Sequence, residues 1–127
     1  MKDDYLAGKS VSKVLDLSAD ASSALLCASD VLITDYSSII YDASLLDLPT
    51  VFYCPDNETY ERDFYLNYPD DLPGEIVTDG EKLLDMCRKT LSSPNTEKIK
   101  AFRENQMGAC DGNSSERIAE VIRGWVK

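Results

Sequence analysis

The stretch DVLITDYSSIIYDASLLDLPTVFYC, residues 30–54, changes its hydrophobic period twice. Val31-Leu32-Ile33 is a continuous apolar run that stops at Thr34-Asp35, the pattern of a strand buried on both faces. A serine pair, Ser37-Ser38, opens a helix-compatible segment over 37–47 with Ile40, Ala43, Leu45 and Leu46 on or near one side. The Leu48-Pro49 step ends that segment, because a residue before proline avoids the α region. TVFYC, 50–54, is β-branched and aromatic and reads as the next buried strand. Strand, helix and strand in so short a span demand a parallel pair with a helical crossover.

Working outward, the alternation continues. SKVLDLS (12–18) is a strand candidate, and ADASSALLCAS (19–29) suits a short helix. EIVT (75–78) is a further strand. TDGEKLLDMCRKTL (78–91) is a helix with Thr78 and Glu81 in a capping-box spacing and a stripe of Leu83, Leu84, Cys87 and Leu91. A helix follows across SSPNTEKIKAFRENQMG, with proline near its start and Gly108 past its end. The last, NSSERIAEVIRGWVK, has Asn113 as cap, Glu116 as its answering residue, and Ile118, Val121, Ile122 and Trp125 on one apolar face. Between Pro55 and Gly74 no helical period holds, and a loop of that length in a compact domain is usually functional. The fold expected is α/β: a parallel, Rossmann-like, doubly wound sheet covered by helices. About four strands are expected where a full dinucleotide-type domain has about six, so residues 1–127 read as one domain, the later part of such a fold.

Composition narrows the function classes. The chain has 127 residues, 43% hydrophobic, enough for a core of its own. It carries 13 basic and 23 acidic residues, a net charge of −10, which argues against nucleic acid as partner. A small anion held by local donors stays compatible with that field. No apolar run reaches the ~18 residues of a membrane span, and MKDDYLAGKS lacks the apolar centre of a signal peptide. Cys27, Cys54, Cys87 and Cys110 have no short metal-type spacing, which suggests reduced, mostly buried thiols in a cytosolic protein and no metal site. The sequence has no histidine, so a mechanism needing an imidazole base must take it from elsewhere.

Ligands of open α/β sheets sit beyond the carboxyl ends of the strands. Thr34-Asp35-Tyr36-Ser37-Ser38 is such an end. Unpaired N–H groups of the following helix and two hydroxyls there suit phosphate oxygens, although serine is also an ordinary cap and Asp35 an ordinary turn residue. CDGNSSERI, 110–118, repeats the theme with Asp111, Gly112, Ser114 and Ser115, and two helix starts suit a diphosphate. Arg62 offers a guanidinium fork to phosphate, or else a solvated cluster with Glu61 and Asp63. Asp42, five residues beyond Ser37, is a hydroxyl-binding candidate or a surface charge.

These residues together resemble the CDP-glycerol glycerophosphotransferases, the primases and polymerases of teichoic acids. The match runs through Asp30, Leu32 to Ser38, Asp42, Pro49, Tyr60, Arg62-Asp63-Phe64-Tyr65, Pro73-Gly74 with Val77, and Asp111 to Ile118, over about residues 28–122. The resemblance implies a two-lobed glycosyltransferase-like fold whose carboxy-terminal lobe holds the nucleotide donor. It implies Ser37 and Ser38 on the donor diphosphate, with Thr34 and Asp35 beside them, and Asp42 near the glycerol. Arg62 and the turn at Asp111, Gly112, Ser114 and Ser115 would help close the site. It also implies CDP-glycerol or a related nucleotide diphosphate as donor and no separate cofactor. A polymer acceptor would meet the other lobe, in a cytoplasmic protein peripheral to the inner membrane face.

Asp63 stands where the family has glycine, and the family's histidines are absent. The expectation is therefore a carboxy-terminal part, inactive alone, with no catalytic residue of its own. Two alternatives stay open: a transferase using CDP-ribitol or a sugar nucleotide, and a receiver-like signalling module with Asp35 as phospho-acceptor. The second lacks the acidic pair and the lysine such modules need.

Overall fold

The computed structural model describes Leu15, Leu17, residues 21–60, Leu66 and residues 70–126. In chain order the elements are α1 (Ser22–Cys27), β1 (Leu32–Thr34), α2 (Ile39–Leu45), β2 (Thr50–Tyr53), β3 (Glu75–Val77), α3 (Gly80–Ser92), α4 (Thr96–Met107) and α5 (Ser114–Trp125). The strands form one sheet in the order β1-β2-β3, all parallel. Leu32 pairs with Thr50 and Thr34 with Phe52, and Val51 pairs with Glu75 and Tyr53 with Val77. Most of the strand candidate at 12–18 lies outside the described residues; its Leu15 and Leu17 are exposed and belong to no element.

β2 is the central strand, and its alternation separates the two faces. Phe52, fully buried, packs with Ile40 of α2 and Phe102 of α4, together with Cys54, Leu66 and Leu72. Val51 points the other way and packs with Val77 and with Cys87 of α3. Helices thus cover both faces of β2, which is why it carries no charge; β1, at the edge, is not buried on both faces as expected, because its Ile33 is 49% exposed. Leu66 and Leu72, between β2 and β3, lie on the α2 side, the face that same-handed crossovers share in a sheet growing one way. Leu26 of α1 closes that layer against Ala43 and Leu48.

Several local expectations are corrected. α2 is stopped by Asp47 before Pro49 is reached. Asp47 adopts φ 53°, its N–H bonds to Ser44 O at 3.3 Å, and Leu48 N–H bonds to Ala43 O at 3.0 Å. This is the Schellman arrangement with aspartate in the place glycine usually takes. Arg103 of α4 pairs with the Asp47 carboxylate and ties the turn down. The cap of α3 is Asp79, whose carboxylate accepts Glu81 N–H at 2.9 Å, so Thr78 is not the cap. Leu84 and Leu91 are exposed, because α3 rests on the sheet only along Leu83, Met86 and Cys87. Cys27 and Cys110 are exposed, and only Cys54 and Cys87 are buried. The Ile118, Val121, Ile122 and Trp125 face of α5 exists but is uncovered, at 60, 52, 50 and 81% exposure. No described residue of α5 is buried.

Candidate functional site

The carboxyl edge of the sheet brings Thr34, Asp35, Ser37, Ser38 and Asp42 into one turn and the helix it enters. β1 ends at half-buried Thr34, and Asp35, Ser37 and Ser38 are exposed. α2 begins at Ile39, two residues later than the sequence pattern suggests. Ser38 is the flanking residue, already helical in its backbone at φ −66°, ψ −5°, and its hydroxyl caps nothing. The capping contact belongs to Ser37, whose Oγ accepts Ile39 N–H at a long 3.4 Å. Both serines therefore face outward at a helix start, where backbone N–H groups lack intrahelical partners. Asp42 is exposed in the first turn of α2, opposite buried Ile40, Ala43 and Ser44.

Tyr36, between the acid and the serines, was given no role by the sequence. Its hydroxyl donates to Asp56 Oδ1 at 3.1 Å, and its ring stacks on Tyr60 with centroids 3.7 Å apart and planes at 21°. Burial first, then the bond to Asp56, pushes its phenol well above its ordinary range. Burial also pushes the Cys54 thiol up, partly offset by its hydrogen bond to Tyr36. The signal was present only as a tyrosine inside a polar turn; its partners are 20 and 24 residues away, across a strand. Beyond them, Pro55, Asp56, Asn57, Glu58, Thr59 and Thr78 line a shallow cleft of about 300 Å³ along the same edge.

The second predicted group, residues 110–118, forms a knot around Arg117. Gly112 has φ +84°, a conformation side chains resist. Arg117 Nη1 donates to both Asp111 oxygens at 2.8 Å. Its Nη2 donates to Ala109 O at 2.7 Å and to Ser114 Oγ at 3.1 Å. Asn113 N–H goes to Asp111 Oδ1 at 2.9 Å, so the expected Asn113–Glu116 capping box does not form. The Arg117 bond, helped by Asn113 N–H, holds the Asp111 carboxyl below its usual range. Ser115 is exposed. Among the described residues, no hydrogen bond or ion pair joins this knot to residues 34–42. Arg62 lies outside the described residues. Among those described, no group of His, Cys, Asp and Glu side chains is arranged to hold a metal ion.

Comparison with known proteins agrees with this architecture. The teichoic acid ribitol-phosphate primase of Bacillus spizizenii is 42% identical over 104 residues, 80% of this chain and 26% of that protein. The teichoic acid glycerol-phosphate transferase of Staphylococcus aureus is 36% identical over 126 residues, 94% of this chain and 30% of that protein. The chain therefore spans between a quarter and a third of the length of these relatives. The solved structure of the wall teichoic acid polymerase TagF matches with a TM-score of 0.65 at 35% identity, over 79% of this chain and 26% of that one. The receiver-like alternative finds no support here. The profile of the CDP-Glycerol:Poly(glycerophosphate) glycerophosphotransferases covers residues 2–124, and the chain belongs to that family.

Proposed function

We propose that residues 1–127 form the donor-binding part of a polyol-phosphate transferase, with CDP-glycerol as the donor. The observation that carries the reading is the outward placement of Ser37 and Ser38 at the carboxyl end of β1. They supply hydroxyls to the pyrophosphate beside the N–H groups of the α2 start. Thr34 and Asp35 shape the turn, and exposed Asp42 accepts from hydroxyls of the polyol. Arg62 brings the positive charge that the described part of the edge does not supply. The Asp111–Gly112 turn with Ser114 and Ser115 closes from a second side, after exchange of its internal Arg117 contacts. The base that activates an acceptor hydroxyl, and the site that receives the polymer acceptor, lie in the rest of a longer protein working at the cytoplasmic face of the membrane. No helix among the described residues is long and apolar enough to cross a bilayer.

TagF has been solved as a variant soaked with CDPG, which supports the choice of donor. A ribitol-phosphate primase among the relatives favours CDP-ribitol as the second reading. Thermal unfolding with CDP, CDP-glycerol and CDP-ribitol decides between them. A ligand at ten times its Kd stabilises by about 1.4 kcal/mol, and the Ser37→Ala/Ser38→Ala double variant loses that shift. No stabilisation at millimolar ligand removes the proposal. A larger shift with CDP-ribitol reassigns the donor.

A further inference from the structure

The β1–α2 turn has weak fixings of its own. Ser37 makes one long contact to Ile39 N–H at 3.4 Å, and the Ser38 hydroxyl makes no capping bond. Hydroxyls on a free turn would sample many directions, and a pyrophosphate would have to order them on binding. The residue immediately before them is restrained instead. Tyr36 is clamped through its ring on Tyr60 at 3.7 Å and through its hydroxyl on Asp56 at 3.1 Å.

The loop that carries them is itself tied to the sheet at Cys54. Cys54 N–H bonds to Val77 O at 2.9 Å, extending the β2–β3 pairing by one step. Asn57 N–H bonds to Cys54 O at 3.2 Å, and Asp56 O accepts Thr59 N–H at 2.8 Å and Thr59 Oγ1 at 3.2 Å. A continuous line of contacts runs from the sheet through the 54–60 turn to Tyr36 and ends one residue short of Ser37. Tyr36 also packs against the core cluster that holds Ile40, Phe52, Cys54, Leu66, Leu72 and Phe102.

We infer that Tyr36 is a positioning residue for the donor: by clamping the β1–α2 turn to the 54–60 loop, it holds the Ser37 and Ser38 hydroxyls in the direction a pyrophosphate requires. The inference rests on the donor reading above and adds the residue that sets its geometry. Preorganisation of this kind shows as affinity without a matching change in fold stability.

The test compares Tyr36→Phe, Tyr36→Leu and Asp56→Ala in the full chain. Affinity for CDP-glycerol, CDP and inorganic pyrophosphate is measured by calorimetry, with Ser37→Ala as benchmark. In parallel, ¹H–¹⁵N spectra of the ligand-free chain follow the Ser37 and Ser38 amides. Tyr36→Leu is expected to weaken binding about tenfold, the size of one lost charge-assisted hydrogen bond, and to broaden or split both amide signals. Tyr36→Phe retains the stack and is expected to lose roughly threefold; Asp56→Ala, which leaves the packed cluster untouched, loses a similar amount. Wild-type affinity and single sharp serine signals in Tyr36→Leu overturn the positioning role while leaving the donor site standing. A Tyr36→Leu chain that does not fold passes the decision to Asp56→Ala, where unchanged affinity is the overturning result. A folded wild-type chain that binds none of the three ligands removes the donor reading, and the positioning role with it.

Discussion

Gly74→Ala places one methyl group where the sheet has no room for it. Gly74 is buried at the start of β3, and a Cβ there would lie 2.0 Å from Thr50 O, 2.9 Å from Thr50 C and 3.2 Å from the Phe52 ring. Real Cβ atoms do not approach other heavy atoms within 3.0 Å, so a gap of about 1 Å must open. The nearest atom is backbone and cannot rotate aside. Either β2 and β3 separate at their amino ends, or Phe52 leaves its site. Overpacking of this kind costs about 1–3 kcal/mol, and a rigid backbone neighbour with a fully buried phenylalanine behind it puts Gly74 at the upper end. The lower entropy of an unfolded chain carrying alanine offsets roughly 0.4–1 kcal/mol. The net expectation is about 2 kcal/mol of lost stability, or roughly 8 °C in melting temperature for a chain of this size. Urea unfolding followed by far-ultraviolet circular dichroism measures it. Gly124→Ala is the control: its Cβ meets nothing within 4 Å on α5, and alanine favours that helix by about 1 kcal/mol. A Gly74→Ala protein within about 0.5 kcal/mol of wild type, the range of a neutral surface change, refutes the reasoning about this contact.

Three further outcomes are expected. Asp79→Ala should cost about 1 kcal/mol as the loss of the α3 cap, while Thr78→Ala should be close to neutral, both read from urea midpoints. The carboxyl of Asp111 ionises below its unfolded value, so what its bonds to Arg117 contribute is present above about pH 4 and lost as pH falls through the depressed value. An acid titration of α5 helicity should show that step, and Asp111→Asn should remove it. Under native conditions iodoacetamide should modify exposed Cys27 and Cys110, while Cys54, at 0% exposure and with its thiol ionisation pushed up by burial, and Cys87, at 8%, react only after unfolding. Peptide mass mapping reads the pattern, and rapid native labelling of Cys54 would contradict the packing around Phe52.

The three described strands and five helices lie where hydrophobic period and turn chemistry predict them, because both signals are local. β2 is legible since TVFY is apolar on both sides, and a strand with two buried faces must be internal. The choice among neighbours was less legible. Thr78 and Asp79 both satisfy the composition of a cap, and only backbone geometry selects Asp79. The stop of α2 at Asp47 rests on a left-handed aspartate, which composition does not mark, and its partner Arg103 is 56 residues away. The serine pair at 37–38 was legible as a candidate phosphate seat because strand end and helix start coincide there. Tyr36 was not, because its partners Asp56 and Tyr60 approach it only when β1 and β2 pair. Periodicity correctly marked an apolar face on α5 but carries no information about whether anything covers it.

That uncovered helix has a thermodynamic consequence. A 12-residue helix is marginal in water without tertiary support, and α5 draws its fixings from the Arg117 knot at its own start. The isolated chain should therefore melt in two stages, with α5 and the 110–113 turn unravelling before the sheet. A ligand that bridged the Ser37-Ser38 turn and the Asp111 turn would fasten the early-melting segment to the late-melting one. Its signature would be two heat-absorption peaks drawing together into one, a readout that separates bridging from binding at either turn alone.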